Sequence, residues 1–370
     1  IDAARKGQLT TIREILDRHP TLINWVDEAG GRWGFRGRTA LWAAVDRPRD
    51  SAEVVELLLE RGASVDAHNA ALNCWYAPEA GSPAVESATL LHLAAGKGDA
   101  ATVHLLVEHG MSVLATDERG HGPLHAVESG DAEAEKVEIL IELGADPNQK
   151  TTDGVTPLDV VRDDKSVAAL LTAGANPDSG KDGTWPLKEA IRQGRVDVAR
   201  RLIEAGADRD RRDRRGHSLL QIAAYVCQAD SIRLLLEVGL SADGDKGPLS
   251  PLNRSLQRGH VEGVELLIKA GAEVAADALH GVTWLQGEAS IRCAELLVSA
   301  GADPNAVEGH TQSTPLHSAA SAGEVSAIDF LLSQGAKVDA QNTDGGTPLL
   351  EACKASKPEA VDRLLKAGAN

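Results

Sequence analysis

One short motif recurs along the chain at a nearly constant interval, and this recurrence constrains the fold more than any other feature. Thr314–Ala320 reads Thr-Pro-Leu-His-Ser-Ala-Ala and is followed by the apolar run Phe330–Leu332 and by Gly335. The same order of residue types returns between Thr347 and Ala369. Recurrence at a period of about 20 to 50 residues is typical of solenoids, in which each unit packs only against its neighbours.

The motif can be traced through ten starts that lie about 34 residues apart. These starts are Thr39, Thr89, Gly122, Thr156, Trp185, Ser218, Ser250, Thr283, Thr314 and Thr347. Residues 1–24 carry an Ala pair and an Ile-Leu pair without the opening motif, which is the pattern of an incomplete N-terminal repeat. The sequence therefore predicts a single array of eleven units over residues 1–370.

Each position of the motif has a physical role in a pair of short helices. A proline after the opening hydroxyl residue suits the first helical turn, where the missing N–H costs nothing and the hydroxyl can cap the helix. The Leu and the Ala pair predict a narrow inner helix that neighbouring repeats can approach closely. A segment of the form Val-x-x-Leu-Leu-x-x-Gly-Ala then predicts an outer helix that ends at a glycine in the C′ position.

These residues and their spacing resemble the ankyrin repeat, and the resemblance covers nearly the whole chain. It implies an all-α solenoid of helix-turn-helix units joined by protruding β-turn fingers. It also implies a non-catalytic protein-protein interaction scaffold without a cofactor. In that family the partner usually meets the finger tips and the exposed positions just after the Ala pair.

Charge and composition narrow the classes of partner. The chain has 370 residues and a formal net charge of −17, which predicts long-range repulsion from nucleic acid and from anionic membranes. Four scattered cysteines without a Cys-x-x-Cys pair predict a reducing compartment. No apolar run approaches the roughly 18 residues of a membrane helix. We therefore expect a cytoplasmic monomer, with both termini cut from a longer polypeptide because the pattern runs to each end.

Two repeats and two connections depart from the pattern. The repeats that start at Thr156 and Thr283 reach their glycine after 18 residues, which predicts that one helix is about a turn short. The connections at residues 25–38 and 67–88 are long finger insertions. Long loops in compact arrays are usually functional or disordered.

Six of the ten aromatic residues lie between positions 25 and 76, five of them in the insertions and Trp42 in the slot of the motif histidine. This set is called the aromatic site. With the neighbouring carboxylates its members are Trp25, Trp33, Phe35, Trp42, Asp46, Trp75, Tyr76 and Glu79. One interpretation is a structural mini-core that fixes two long loops. The other is a small-molecule or glycan site, which could be catalytic as a hydrolase because aromatic platforms beside carboxylates suit sugar hydrolysis. No spacing singles out an acid–base pair.

The positions that the resemblance assigns to a partner form a set that we call the basic row. Its members are Arg36, Arg47, Lys97, Arg119, Arg192, Arg215, Tyr225 and Arg258. In a chain with an excess of acidic residues, this segregation predicts that an acidic protein segment binds along the concave face. The alternative is a solvated charged face, since carboxylates are interspersed among these residues.

The motif histidines His92, His125 and His317 could suggest a metal site. They fall one to a repeat, and stacked helices lie about 8–10 Å apart, whereas zinc needs nitrogen ligands at about 2 Å. Hydrogen bonding to the finger backbone within each repeat is the favoured interpretation, and no metal site is predicted.

Overall fold

The regular secondary structure in the described part of this protein is helical. The structure, a computed structural model, describes residues 1–26, 39–47, 51–65, 89–130, 132–180, 185–244, 250–275, 277–282 and 288–370. Within these ranges no strand occurs, and the predicted all-α solenoid class is confirmed. None of the helices in these ranges is long and apolar enough to cross a bilayer.

The chain divides into two compact units. The first comprises Ile1–Leu187 with Arg201–Asp208, and the second comprises Lys188–Arg200 with Arg209–Asn370. The helices α11 (Pro186–Gln193) and α12 (Val196–Glu204) contribute residues to both units.

In the first unit each repeat supplies an inner and an outer helix. The elements are α1 (Asp2–Lys6), α2 (Leu9–Arg18), a 3-10 helix (Pro20–Asn24), α3 (Ala40–Val45), α4 (Ala52–Glu60), α5 (Leu90–Lys97), α6 (Ala100–Glu108), α7 (Pro123–Ala126), α8 (Glu133–Glu142), α9 (Pro157–Val160) and α10 (Asp164–Thr172). Inner helices α1, α3, α5, α7 and α9 pack in succession, and so do outer helices α2, α4, α6, α8 and α10. Each repeat thus buries its apolar face against adjacent repeats.

The second unit is built in the same way. Its elements are α13 (Leu219–Tyr225), α14 (Ala229–Glu237), α15 (Pro251–Gln257), α16 (Val261–Lys269), a 3-10 helix (Ala278–Gly281), α17 (Glu288–Ser299), α18 (Pro315–Ala322), α19 (Val325–Ser333), α20 (Pro348–Lys354) and α21 (Pro358–Lys366). Inner helix α18 packs against α20, and outer helix α19 packs against both α17 and α21.

The motif residues occupy the places that their chemistry predicts. Leu316 and the pair Ala319 and Ala320 are completely buried on α18, where small side chains let the inner helices approach. At the end of α19, Gly335 has φ +85°, a left-handed conformation that glycine adopts without a Cβ penalty. Its N–H donates to the carbonyl of Leu332 at 3.1 Å, which closes the outer helix.

The repeat around Thr283 differs from the sequence-based register. Thr283 itself lies outside the described residues, but Ala278–Gly281 form a 3-10 helix that packs against α15, α17 and α18. Leu279 is buried, and His280 Nε2 lies 3.2 Å from the carbonyl of Ala306. His317 Nε2 makes the same kind of contact with the carbonyl of Gly346, 2.9 Å away. Residues 278–281 therefore take the place of an inner helix among the residues described in this repeat.

Two inner helices are only one turn long. The short helix predicted for the repeat at Thr156 is confirmed in α9, whereas α7 is equally short and the sequence did not predict it. Beside them, two buried charged residues of α8 supply hydrogen bonds. Lys136 Nζ donates to the carbonyl of Gly96 at 2.7 Å, and Glu133 Oε1 accepts from the backbone N–H of Arg162 at 2.7 Å. Burial lowers the pKa of Lys136.

Each motif histidine links two neighbouring repeats through the hydrogen bonds of its two ring nitrogens. His125 Nδ1 accepts from the N–H of Gly122 at 3.1 Å, and its Nε2 donates to the carbonyl of Val155 at 3.2 Å. His92 and His317 use both ring nitrogens in the same way. Bonding to finger backbone is thus confirmed, but the acceptor is about 30 residues farther along the chain rather than within the repeat. The ring reaches across because the next finger lies directly over the helix start.

A carboxylate links the two repeats on either side of the insertion at 67–88. Asp99 caps α6 by accepting from the N–H of Thr102 at 2.8 Å, and it also accepts from the N–H of Ser51 at 3.0 Å, just before α4. Burial alone would raise the pKa of Asp99, but these hydrogen bonds hold it below its usual value. The outer helices α4 and α6 are therefore connected through side-chain chemistry independent of the insertion.

Truncation of Leu331 is expected to destabilise the second unit. The side chain is 2% exposed, so Leu331→Ala should lower the free energy of unfolding by about 2–5 kcal/mol through lost burial and the cavity it leaves. Leu365, at 53% exposure, is the matched control, and Leu365→Ala should change that free energy by less than about 0.5 kcal/mol. Urea unfolding followed by helical circular dichroism measures both. Equal losses in the two variants would contradict the packing described here.

Acid should destabilise the first unit through His125. Burial lowers the pKa of His125 from 6.5 to about 4, so the folded state binds fewer protons than the unfolded chain at intermediate pH. The stabilising contribution is complete above pH 6.5 and falls as the pH drops towards 4, by about 2–3 kcal/mol.

The chain offers its own control for this effect. In the repeat at Ser218 a glutamine fills the same place, and Gln221 Oε1 accepts from the N–H of Ser218 at 2.8 Å. His125→Gln should therefore keep the hydrogen bond from the N–H of Gly122. It should also remove the part of the free energy of unfolding that depends on protonation of residue 125. Urea unfolding at pH 7 and pH 4.5 should show a larger stability loss for the wild type than for the variant, and parallel losses would argue against a depressed pKa.

Candidate functional site

The members of the basic row that lie in the second unit are exposed on inner helices and a finger. Arg192 lies in the last turn of α11, Tyr225 ends α13, and Arg258 follows α15 directly. Arg215 lies on the finger before α13. All four side chains belong to exposed residues, so this part of the predicted row is accessible to a partner.

Tyr225 is the centre of a side-chain cluster on this surface. Its residue exposure is 49%, although it is an aromatic residue on an inner helix. The guanidinium carbon of Arg258 lies 5.1 Å from the ring centroid, and that of Arg254 lies 5.4 Å away. Distances below about 6 Å are typical of cation–π contacts. We call Tyr225, Arg254 and Arg258 the Tyr225 cluster.

A finger holds one edge of the Tyr225 cluster. Nη2 of Arg254 lies 3.3 Å from Nε2 of His217, and Nδ1 of His217 lies 3.1 Å from Oδ2 of Asp213. Since a guanidinium only donates hydrogen bonds, Nε2 of His217 accepts from Arg254. The Nδ1–H of His217 therefore donates to Asp213.

Asp213 in turn is fixed by the finger backbone. Its Oδ1 accepts from the N–H groups of Arg215 at 2.8 Å and His217 at 2.9 Å. Burial alone would raise the pKa of Asp213, but these bonds and the His217 side chain hold it below its usual range. A second finger, Asp117 to His121, repeats the arrangement in the first unit, with 2.9 Å between the imidazole and the carboxylate.

The basic row in the first unit is more closely tied to the protein itself. Arg36 lies outside the described residues. Lys97 Nζ is 3.6 Å from Oδ1 of Asp46, and the guanidinium of Arg47 lies over Gly7. Arg119 is half-buried on its finger, and its carbonyl accepts from Thr152 of the next finger at 2.8 Å. Lys97 is thus paired within the protein, and Arg119 is less exposed than the four members in the second unit.

Three of the eight members of the aromatic site, Trp25, Trp42 and Asp46, lie among the described residues. Trp33, Phe35, Trp75, Tyr76 and Glu79 lie outside the described residues, as do residues 27–38 of the first insertion and all of 67–88. Among the remaining members, Trp25 is 52% exposed, whereas Trp42 is only 1% exposed within α3. Trp42 thus contributes to the core in the slot where other repeats place the motif histidine.

Sequence reasoning missed Arg254. It lies inside α15, one turn before Arg258, and not at the exposed position after the Ala pair where partner contacts were expected. The available signal was the spacing of the two arginines, since residues four apart share one helix face. In the described part of the chain no group of three or more histidine, cysteine or acidic residues is arranged to hold a metal ion.

Comparison with known proteins agrees with the repeat architecture. A family model described as ankyrin repeats matches residues 70–151, 126–213 and 282–370, and a model described as ankyrin repeat matches residues 36–70.

Relatives from several organisms share this similarity. The chain is 32% identical over 210 residues to ankyrin repeat and SOCS box protein 16 of Mus musculus, covering 44% of this chain and 46% of that protein. It is 28% identical over 287 residues to E3 ubiquitin-protein ligase KEG of Arabidopsis thaliana, covering 69% and 17%. Against palmitoyltransferase ZDHHC13 of Homo sapiens it is 29% identical over 199 residues, covering 43% and 32%. The chain thus spans less than half the length of each of these relatives.

A crystal structure of the human ASB11 ankyrin repeat domain also matches. Its TM-score is 0.45 at 26% sequence identity, and the match covers 50% of this chain and 85% of that domain.

Proposed function

This chain belongs to the ankyrin repeat family, and from that premise we propose that it binds an acidic segment of another protein through the exposed members of the basic row. Ankyrin repeats indicate a protein-protein interaction scaffold. What we propose beyond this is that the partner is acidic and binds this particular surface. A monomeric state and a cytoplasmic location stay predictions.

The observation that carries the proposal is the exposure of Tyr225 with arginines around it. Tyrosine and arginine are enriched among the residues that dominate the energetics of protein interfaces. A tyrosine supplies large contact area with little loss of side-chain entropy, and an arginine fork matches the planar geometry of a carboxylate. The second unit presents both at the ends of adjacent inner helices α13 and α15.

An acidic partner has to be attracted by the basic row itself, because the net charge of the chain opposes its approach. The chain carries 55 acidic and 38 basic residues, so its overall field repels acidic molecules at long range. Local attraction must therefore come from a surface where positive charge is concentrated, and salt should screen it within about 8–10 Å.

The alternative, a ligand site at the aromatic insertions, has less support. Trp42 is committed to the core, and Asp46 faces the ammonium of Lys97. Trp25 is the one aromatic member of that set that the described residues show exposed. A hydrolase would need a carboxylate pair, and no such pair is supported by the described members.

Selection from a random phage-displayed peptide library tests the proposal. We expect selected peptides to be rich in Asp and Glu, and their affinity to fall as the salt concentration rises. The combined change Arg192→Glu, Arg215→Glu and Arg258→Glu should lower that affinity by at least about tenfold, as measured by fluorescence anisotropy of labelled peptides.

A variant with the same net charge serves as the control. Arg200, Arg233 and Lys269 lie on outer helices of the second unit, and changing all three to Glu should leave the affinity within about twofold. Helical circular dichroism checks that both variants fold. Selected peptides without acidic enrichment, or equal effects of the two triple variants, would refute the basic row as the binding surface.

A further inference from the structure

The arginines of the Tyr225 cluster differ from other arginines of the second unit in their contacts, because they do not pair with carboxylates of the described residues. Arg192 pairs with Glu189 at 2.8 Å, Arg200 pairs with Glu237 at 3.1 Å, and Arg233 pairs with Asp230 at 2.7 Å. Among the residues that the structure describes, no carboxylate lies within 4 Å of the guanidinium of Arg254 or Arg258. Both instead contact the ring of Tyr225, and Arg254 also contacts Nε2 of His217.

Such contacts leave the donors of an arginine available. A guanidinium that meets a ring through its face keeps its N–H groups at the edge. These donors form a fork that matches two oxygens of a carboxylate or a phosphate. In a chain with more acidic than basic residues, two guanidinium groups without a carboxylate neighbour are open to an external anion.

The cluster is also held in place before any ligand arrives. Arg254 and Arg258 lie one helical turn apart at the end of α15, which puts them on one face of the helix. Tyr225 supports both from α13, and Arg254 is tied through His217 to Asp213 and hence to the finger backbone. Groups that are ordered in advance lose less entropy on binding.

We infer that Tyr225, Arg254 and Arg258 form a recognition subsite for an oxyanion-bearing side chain of the partner segment. The guanidinium forks are the donors, the Tyr225 ring is the platform that orients them, and His217 is a positioning residue. This inference rests on the proposed function and deepens it, because it assigns the affinity to one cluster rather than to charge spread over the row. The oxyanion is either the carboxylate of Asp or Glu or the phosphoryl group of a phosphorylated side chain.

The experiment uses the full chain and three labelled peptides. The probes are a fluorescein-labelled hexaglutamate, a Gly-Ser peptide of the same length with one phosphoserine, and a hexaglutamine control. Fluorescence anisotropy at low and moderate salt gives the dissociation constants. Wild type should bind at least one of the oxyanion probes and not hexaglutamine, and the stronger of the two identifies the source of the oxyanion.

Three single variants then separate a built subsite from diffuse charge. Arg254→Gln should weaken binding about tenfold. Tyr225→Leu leaves the net charge unchanged and should weaken binding about threefold to tenfold, because the guanidiniums lose their platform. Tyr225→Phe keeps the ring and should bind within about twofold of wild type. The control Arg233→Gln removes one outer-helix guanidinium and should also stay within about twofold.

The possible results distinguish this inference from the proposed function. If Arg254→Gln and Tyr225→Leu bind like wild type while the triple row variant loses binding, the row stands and the subsite is overturned. Equal losses from Arg254→Gln and Arg233→Gln also overturn it, since binding would then follow total charge. If wild type binds neither oxyanion probe better than hexaglutamine, the proposed function itself fails.

Discussion

No repeat of this chain can bury its apolar face alone. Each face is buried by the adjacent repeats, and the rest of the structure depends on this mutual burial. The inner helices present Leu and Ala pairs, such as Leu316 with Ala319 and Ala320, to the next inner helix. Such small faces give close approach but little area per repeat. Stability is therefore shared along each unit, and a cavity made at one repeat weakens the two interfaces that it touches.

Hydrogen bonds between polar groups of adjacent repeats hold the repeats in a fixed alignment. The imidazole of His125 joins its own helix start to the carbonyl of Val155 in the next finger, and Asp99 joins two outer helices. The N–H groups of Gly122, Ser51 and Thr102, which these side chains accept from, lie at helix starts and have no acceptor within their own helix. The same scaffold then holds the fingers steady, so Asp213 and His217 can position Arg254 beside Tyr225.

Sequence reasoning predicted the fold well and the candidate site only in part. Period, capping residues and the C′ glycine are local signals, and they located helix starts such as those of α18 and α20. The early end of α7 was not predicted, because Val127 and Glu128, which follow Ala126 directly, carry no helix-ending signal. Tyr225 and Arg258 were identified from their place in the repeat. Arg254 was missed because its role comes from contacts with a different repeat.

The link made by Asp99 has a consequence for how this chain can vary. Because Asp99 joins the start of α4 to the start of α6 directly, the two repeats are held together without help from the chain that connects them. Loop-closure entropy grows only with the logarithm of length, and doubling such a loop costs about 0.6 kcal/mol. Residues can therefore be added to, removed from or substituted in the connection between the two repeats at a small cost in the free energy of folding. The connection between these two repeats is therefore a place where the sequence can change with little effect on the stability of the other repeats.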